Sequence, residues 1–476
     1  MKIFYKLSVI FILYALLAIP DNRTSIHIPK DSGLTTSGRW WGKFAQNLVK
    51  YRITSKQNQA FEYNKHRQLL KKQLDNLLLE LTEPDNPKLD SISHHINKLS
   101  ALASLVPGTI HEFEEDVATW RKLLKYQSRY WDTSSDYANE RLFQFIVEGR
   151  MAFESALIQS ETEEARWHLA KNQPTAHSST FHNFNFENGD VIAFSSTVKD
   201  NFHISVFKEL PNVSKRLGSI YINNGQASVI YLDYKKGLII VPVEEFINDI
   251  APNGIILRLR NDIPEMLRNP ALPLLAATTI YEMAAEGTYS YDYGFDIESH
   301  SSLFDWELIS KAFKQQGLSL EANLFNRNTF AINIGSKNPH LIPFEVELDH
   351  RFIIVGEWYH SNLLYENRLL TAATTAIIEH QSHEDFISYF KLPIYRVAKG
   401  YSVFAGLFGF NEPIPSGITA QSQLVYDAVS KKQKKLLAQL KTALSSYEKK
   451  QQHKATYLKM LQKANEIMTE QKDNSQ

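Results

Sequence analysis

The spacing of apolar residues predicts helices in the first third of the chain. Between about Trp40 and Lys171 apolar positions recur every three or four residues, the spacing of one face of an α-helix. The sequences "EPDNP" and "PG" interrupt this pattern, as proline and glycine do between helices. We predict antiparallel helices, a bundle or stalk, over residues 21–175. The apolar stripes are Leu70, Leu74, Leu77 and Leu81; Ile92, Ile96, Leu99, Ala103 and Val106; and Phe113, Val117, Trp120 and Leu124.

Beyond a polar linker at residues 172–183, the period changes from helical to alternating. The short runs "DVIAF", "HISVF", "SIYI", "ASVIYL" and "GLIIVPV" are rich in β-branched and aromatic residues and are separated by turn residues. Two helices are predicted after them, from about Leu272 to Glu286 and from Trp306 to Gln316. This pattern indicates an α+β domain over residues 176–419.

The last segment, residues 420–476, is predicted to be helical and Lys-rich. An apolar stripe runs through Leu436, Leu440, Leu444 and Tyr447. Between residues 431 and 476 there are eleven lysines against four acidic residues. Two interpretations stay open: the helix packs on the N-terminal bundle, or its basic face contacts an anionic membrane surface.

The N-terminus has the layout of a secretory signal. Lys2 and Lys6 precede an apolar run from Leu7 to Ile19. This run is shorter than the ~20 residues of a spanning helix. No small-residue cleavage site is clear, however, so an anchor formed by residues 3–19 is the alternative. We therefore expect residues 1–20 to be a signal peptide or membrane anchor, and the protein to be exported to the periplasm or secreted.

Composition narrows the classes of function. A length of 476 residues with 43% hydrophobic residues predicts a folded protein with more than one core. Basic and acidic residues number 52 each, so there is no net charge to attract nucleic acid, which we do not expect as a partner. The chain has no cysteine, which excludes disulfides, thiolate zinc sites and thiol nucleophiles.

No metal or other cofactor is expected either. His94 and His95 have no third ligand at metal spacing and are interpreted as part of a solvated helix face. The polar residues near the end of the α+β domain are interpreted as surface residues. These are Asp349, His350, Glu357 and His360.

Three stretches of the α+β domain resemble a known family when taken in order. They are "NGDVIAFSSTVKDNFHISVF" (188–207), "ASVIYLDYKKGLIIVPVEEF" (227–246) and "YDYGFDIESHSSLFDWELISKAFKQQGLSLE" (291–321). Together they are similar to the permuted papain-like amidases of the YaeF/YiiX type, distant relatives of the NlpC cell-wall peptidases. The stretch "IPFEVELDHRFIIVGEWYHSNLLYENRLL" (342–370) resembles the tail of the longer members. The resemblance implies a permuted papain-like fold over about residues 187–370.

The resemblance also implies roles for individual residues. His203 matches the family's catalytic histidine, Tyr231 stands where its acidic partner is expected, and Asp305 stands at the position of the catalytic cysteine. Glu307 matches the glutamate that follows the cysteine, and Asp190 belongs to the "GD" turn. We assign Asp190 and Glu307 to ligand binding.

The substitution at position 305 changes the expected chemistry. A thiol at a helix N-terminus beside a histidine becomes a thiolate and attacks an amide carbonyl. Aspartate is a much poorer nucleophile, and a phenol supports an imidazolium less well than a carboxylate does. The simpler interpretations are that Asp305, or Ser302, caps the helix, that His203 is a hydrogen-bonded remnant, and that Tyr231 is a strand aromatic.

Three hypotheses follow for the function. The first is a catalytically degenerate amidase homologue that binds a peptide, lipid-amide, acyl or cell-wall-like ligand. The second is an active amidase or esterase in which His203, with Asp305, activates water. The third is a helical scaffold at the membrane, in which the helices carry the function and the globular domain has no function of its own.

Overall fold

Helices and one large sheet form an α+β fold, the class that the sequence predicts. The computed structural model describes residues 14–19, 35–132, 135–160, 166–169, 178–181, 184–195, 205–206, 216–234, 236–251, 253–287, 289–292, 302–320, 332–333, 345–381, 386–388, 390–407, 414 and 418–473. The main helices are α1 Thr35–Arg52, α2 Lys56–Leu79, α3 Pro87–Ala103, α4 Ile110–Gln127, α5 Asp136–Gln159, α6 Pro264–Arg268, α7 Leu272–Glu286, α8 Asp305–Gln315, α9 Glu345–Leu348, α10 Ser361–His380, α11 Leu392–Leu407, α12 Ala420–Gln451 and α13 Tyr457–Asp473. The strands are β1 Arg166–Leu169, β2 Ser178–Phe181, β3 Phe184–Glu187, β4 Val191–Ser195, β5 Ser205–Val206, β6 Arg216–Asn223, β7 Gln226–Asp233, β8 Gly237–Pro242, β9 Asn253–Leu259, β10 Ser290–Tyr291, β11 Ser302–Leu303, β12 Ile332–Asn333 and β13 Phe352–Tyr359.

The N-terminal helices bury the apolar stripes found in the sequence. Helix α2 begins at a Ser55 cap whose side chain accepts from the Asn58 N–H. Helix α3 begins after Asn86, with Pro87 in the first turn, where the missing N–H costs nothing. The stripes of α2, α3 and α4 are buried almost throughout. Leu81 is the exception, because α2 ends at Leu79 and leaves Leu81 65% exposed.

The C-terminal helices pack on these N-terminal helices, one of the two arrangements that the sequence left open. Leu436, Leu440 and Leu444 of α12 belong to the same buried cluster as the aromatic residues of α1. The rings of Trp41 and Tyr457 lie 5.1 Å apart, centroid to centroid. The apolar stripe of α12 is therefore used inside the protein, and contact of its basic face with a membrane stays a prediction.

The predicted membrane anchor lies largely outside the described residues, which include only positions 14–19 of it. Among the described helices, none combines the length and apolar character needed to cross a bilayer.

A seven-stranded sheet forms the centre of the α+β domain. Its order is β1-β13-β9-β4-β6-β7-β8, and every neighbouring pair is antiparallel. The central strand β4 is buried on both faces: Val191 and Ala193 meet the helices α7 and α8, and Ile192 and Phe194 face a second cluster. The helix predicted at Leu272 to Glu286 is confirmed, and α8 begins one residue before its predicted start.

Strand β1 corrects the sequence interpretation. Residues up to about Lys171 carry a helical period, yet Arg166–Leu169 are extended and pair with β13, with Arg166 opposite Tyr359. Without β1, the edge of β13 would leave backbone N–H and C=O groups unpaired. The four-residue strand β1 supplies their hydrogen-bond partners, which favours the extended form.

Buried ion pairs join the helices to the sheet. Arg121 of α4 and Arg150 of α5 both contact Glu347 of α9, with N–O distances of 2.5 and 2.7 Å. Arg121 also pairs with Glu357 of β13, and all four side chains are at most 5% exposed. The interpretation of Glu357 as a surface residue is wrong. Alternation along β13 directs Glu357 to the helices, whereas Trp358 packs across Gly254 on the other face.

Replacing Glu347 by glutamine should destabilise the protein strongly. The change leaves Arg121 and Arg150 buried with one carboxylate fewer, which costs ~3–5 kcal/mol for a broken buried pair. Denaturant unfolding of parent and variant measures the loss. Glu366→Gln is the matched control, since the Glu366–Lys441 pair is 40% and 45% exposed and should contribute less than ~1 kcal/mol. Equal losses in the two variants would contradict this account of the junction.

Candidate functional site

Asp305, which the predicted resemblance aligns with a catalytic cysteine, lies at the start of helix α8. Asp305 is the first residue of this helix and follows the short strand β11. Its side chain is 1% exposed. Phe304 occupies the cap position, and no side-chain cap hydrogen bond forms there. The expectation that Ser302 or Asp305 occupies the N-cap position is wrong. Asp305 lies within the first turn, where its carboxylate pairs with a cation and also accepts from the backbone N–H groups of Asp305 and Leu217.

That cation is Arg216, the first residue of β6. Its Nε donates to Asp305 Oδ2 at 2.9 Å, and its Nη2 lies 3.4 Å from Oδ1. Nη2 also donates to the backbone oxygen of Leu232. Burial acts to lower the pKa of Arg216, but the Asp305 carboxylate and two nearby tyrosines outweigh burial, so the pKa is raised. The guanidinium stays charged and holds both carboxylate oxygens.

Four aromatic rings surround the Arg216 guanidinium. Its central carbon lies 4.1 Å from the ring centroid of Tyr234 and between 5.6 and 5.8 Å from those of the other three. These rings belong to Phe194, Tyr231 and Tyr291. Ring faces carry negative charge density and so stabilise a cation that is removed from water. Burial, opposed by Arg216, raises the pKa of Tyr234 to about 12.

Two of the three residues that the predicted resemblance selects thus meet at one side chain. Asp305 is bound to Arg216, and Tyr231 lies beside the same guanidinium. Tyr231 is the buried strand aromatic that the simpler interpretation predicted, and it also packs against Phe194 and Phe246. His203 lies outside the described residues.

The "GD" turn has a structural explanation. Gly189 has φ +81°, and a Cβ there would lie 2.4 Å from the backbone oxygen of Pro273. Asp190 accepts two hydrogen bonds from Arg258, each 2.7 Å long, and one from the Glu187 N–H at 2.9 Å. Its side chain has no exposed surface. Ligand binding by Asp190 stays a prediction, whereas its contacts join the turn to strand β9.

Glu307 is a second buried acidic residue in the first turn of α8. It is 1% exposed, and Lys311, one turn later on the same face, places Nζ 2.5 Å from Oε1. Burial raises the pKa of Glu307 to about 7, although Lys311 opposes the shift. This carboxyl group therefore exchanges its proton near neutral pH.

Sequence reasoning missed both arginines that hold the aspartates. Arg216 is 89 residues from Asp305, and Arg258 is 68 residues from Asp190, so no local pattern joins either pair. The available signal concerns Arg258 alone, which stands between Leu257 and Leu259 in an apolar run, where an unpaired charge is costly. Arg216 follows Lys215 at the start of its strand and carries no such signal.

No group of three or more histidine, aspartate or glutamate side chains is placed to hold a metal ion within the part of the chain that the structure describes. Comparison with family models gives no match, and comparison with curated proteins gives none either.

Asp305→Ala should destabilise the protein by ~3–5 kcal/mol, because it leaves Arg216 buried without its counter-charge. Arg216→Met combined with Asp305→Leu should recover most of that loss, since an apolar pair replaces the ionic one. Denaturant unfolding measures both variants. Glu80→Ala, which removes an exposed partner of Lys88, is the control and should cost less than ~1 kcal/mol. A double variant as unstable as Asp305→Ala would show that the ion pair is not what Asp305 supplies.

Glu307→Gln should gain stability relative to the parent as pH rises. The pKa of Glu307 is raised from its ordinary value of 4.5 to about 7 in the folded protein. Its protonated form therefore stabilises the fold fully below pH 4.5, and this contribution is lost as pH rises through about 7. Glutamine stays neutral throughout. Urea midpoints of both proteins between about pH 5 and 8 measure the difference, and a constant difference would contradict the raised pKa.

Proposed function

We propose that the α+β domain is a catalytically inactive relative of the permuted papain-like amidases, which binds a peptide, acyl or cell-wall-like ligand in the inherited cleft. The order of four sequence motifs supports the relationship. The observation that carries the loss of activity is the buried ion pair between Arg216 and Asp305.

An attacking group needs a lone pair that can approach the substrate carbonyl. Both oxygens of Asp305 face Arg216, so neither is directed at a substrate carbonyl. Burial raises the pKa of this carboxyl group, although Arg216 opposes the shift. Moving Asp305 away would leave Arg216 buried and unpaired. This weighs against water activation by His203 with Asp305, and the absence of cysteine removes the thiol mechanism. The ion pair gives Asp305 a structural role instead, which is to neutralise the buried Arg216.

The proposed export rests on the sequence, in which Lys2 and Lys6 precede the apolar run at residues 7–19. An exported protein meets peptides, cell-wall fragments and lipids outside the cytoplasm. These are the ligand classes that the proposed relationship favours.

The full chain, incubated with peptidoglycan fragments, N-acyl amino acids or lipid amides, should show no turnover above that of His203→Ala. Mass spectrometry of the products measures turnover, and calorimetric titration of the same compounds measures binding. Turnover that disappears in His203→Ala would overturn the proposal. So would failure of all three compound classes to bind.

A thiol restored at position 305 tests whether the cleft survives. Asp305→Cys alone leaves Arg216 unpaired, so Asp305→Cys is combined with Arg216→Met. This variant is then combined with His203→Ala. Amidase activity that the first variant gains and the second loses would show that the cleft is intact and that the parent protein is inactive. Activity already present in the parent would contradict the proposal.

A second candidate function is hydrolysis with Glu307 as the general base. Burial raises the pKa of Glu307 to about 7, and a carboxylate with this pKa is partly deprotonated at neutral pH and still basic enough to accept a proton. In that case the rate would rise with pH through about 7 and disappear in Glu307→Gln. Glu282→Gln, an exposed acid on α7, is the control. Activity that survives in Glu307→Gln would exclude this role.

A further inference from the structure

Helix α11 presents an apolar face to solvent. Ile394, Val397 and Tyr401 follow one another at helical spacing and are 62%, 63% and 54% exposed. Phe390, just before the helix, is 80% exposed, and Phe404, three residues after Tyr401 on the same face, is 55% exposed. We call these five residues the α11 patch. Single exposed apolar residues are common, but a contiguous group of this kind marks an interaction surface.

The rest of α11 is firmly attached to the protein. Leu392 and Ser402 are fully buried on its inner side. The Tyr395 hydroxyl donates to Asp427 Oδ2 of α12 at 2.6 Å. The α11 patch is thus the outer face of a packed helix, and its residues do not belong to the buried cores.

The charged residues of α11 itself and of the turn before it are all basic. Between residues 386 and 407 the chain contains Lys391, Arg396 and Lys399, and no aspartate or glutamate. A helix with large apolar and aromatic residues on one face and only cations beside them has the composition of an interfacial helix on an anionic bilayer.

The patch is continuous with the N-terminal apolar segment. Arg396 donates to the backbone oxygens of Leu17 and Ile19, at 3.0 and 2.5 Å. The rings of Tyr14 and Phe390 lie 5.9 Å apart, centroid to centroid. Ile19 is itself 57% exposed. The described part of the predicted signal or anchor, residues 14–19, therefore lies against the patch.

We propose that the α11 patch lies on an anionic lipid bilayer, with α11 parallel to the membrane plane and its apolar side chains at the boundary between headgroups and acyl chains. Contact with the N-terminal segment favours lipid over a protein partner, because that segment is apolar enough to enter the same layer. This surface differs from the Lys-rich C-terminal helices, whose apolar stripe is buried in the core. The proposal does not depend on the proposed function of the α+β domain.

The absence of cysteine allows a direct test on the full chain. Val397→Cys and the control Leu79→Cys, at a site that is 82% exposed on α2, each carry one polarity-sensitive fluorophore. With vesicles of phosphatidylcholine and phosphatidylglycerol, the emission at position 397 should shift to the blue and be quenched by lipid-borne quenchers. The control should do neither. A label at position 397 that stays aqueous while the protein floats with vesicles would overturn the proposal.

Two further outcomes would also overturn it. Shielding of position 397 without vesicles, with a doubled mass in light scattering, would assign the patch to a second copy of the chain. Equal insertion of the label at position 397 into vesicles of pure phosphatidylcholine would show that the basic residues beside the patch do not contribute to binding. In a companion variant, Ile394→Ser with Val397→Ser should lower partitioning into the mixed vesicles about tenfold. Leu78→Ser with Leu79→Ser removes similar exposed apolar area elsewhere and should leave partitioning unchanged.

Discussion

The cost of taking charge out of water governs the centre of this protein. Arg216 and Asp305 are both fully buried, and either one alone would be several kcal/mol less favourable than in solvent. Together they fix the start of helix α8 against the first residue of β6, and the surrounding rings of Phe194, Tyr231 and Tyr234 complete the environment of the cation. The same contacts hold the sheet and the helix together.

Buried carboxylates are also paired with arginines at two other places. Asp190 is held by Arg258 at the turn before the central strand, and Glu347 is held by Arg121 and Arg150 between helices and sheet. Each acidic residue lies in a stretch with an obvious sequence motif, and each partner lies far away along the chain. Charged residues inside this protein therefore define its tertiary arrangement, whereas the apolar stripes define its elements.

This division explains how much the sequence can predict. Helical period and turn residues predict α2, α3, α4 and α7 because those signals are local. Strand β1 is missed because its extended form depends on the free edge of β13 and not on its own residues. Asp305 is recognised as unusual from its motif, but its burial and its partner depend on a contact that spans 89 residues. The roles of Glu357 and Arg216 are equally invisible without the fold, since an isolated charge in a strand has no partner until the sheet forms.

The long spacing of the paired charges has a consequence during synthesis. Arg121 meets Glu347 across 226 residues and Glu357 across 236. A growing chain that has produced only the first helices carries two arginines on faces that must later be covered, with no carboxylate yet made to neutralise them. The early helices cannot settle into their final packing until most of the polypeptide has emerged. Such a chain stays open and accessible for longer than a bundle with local contacts would.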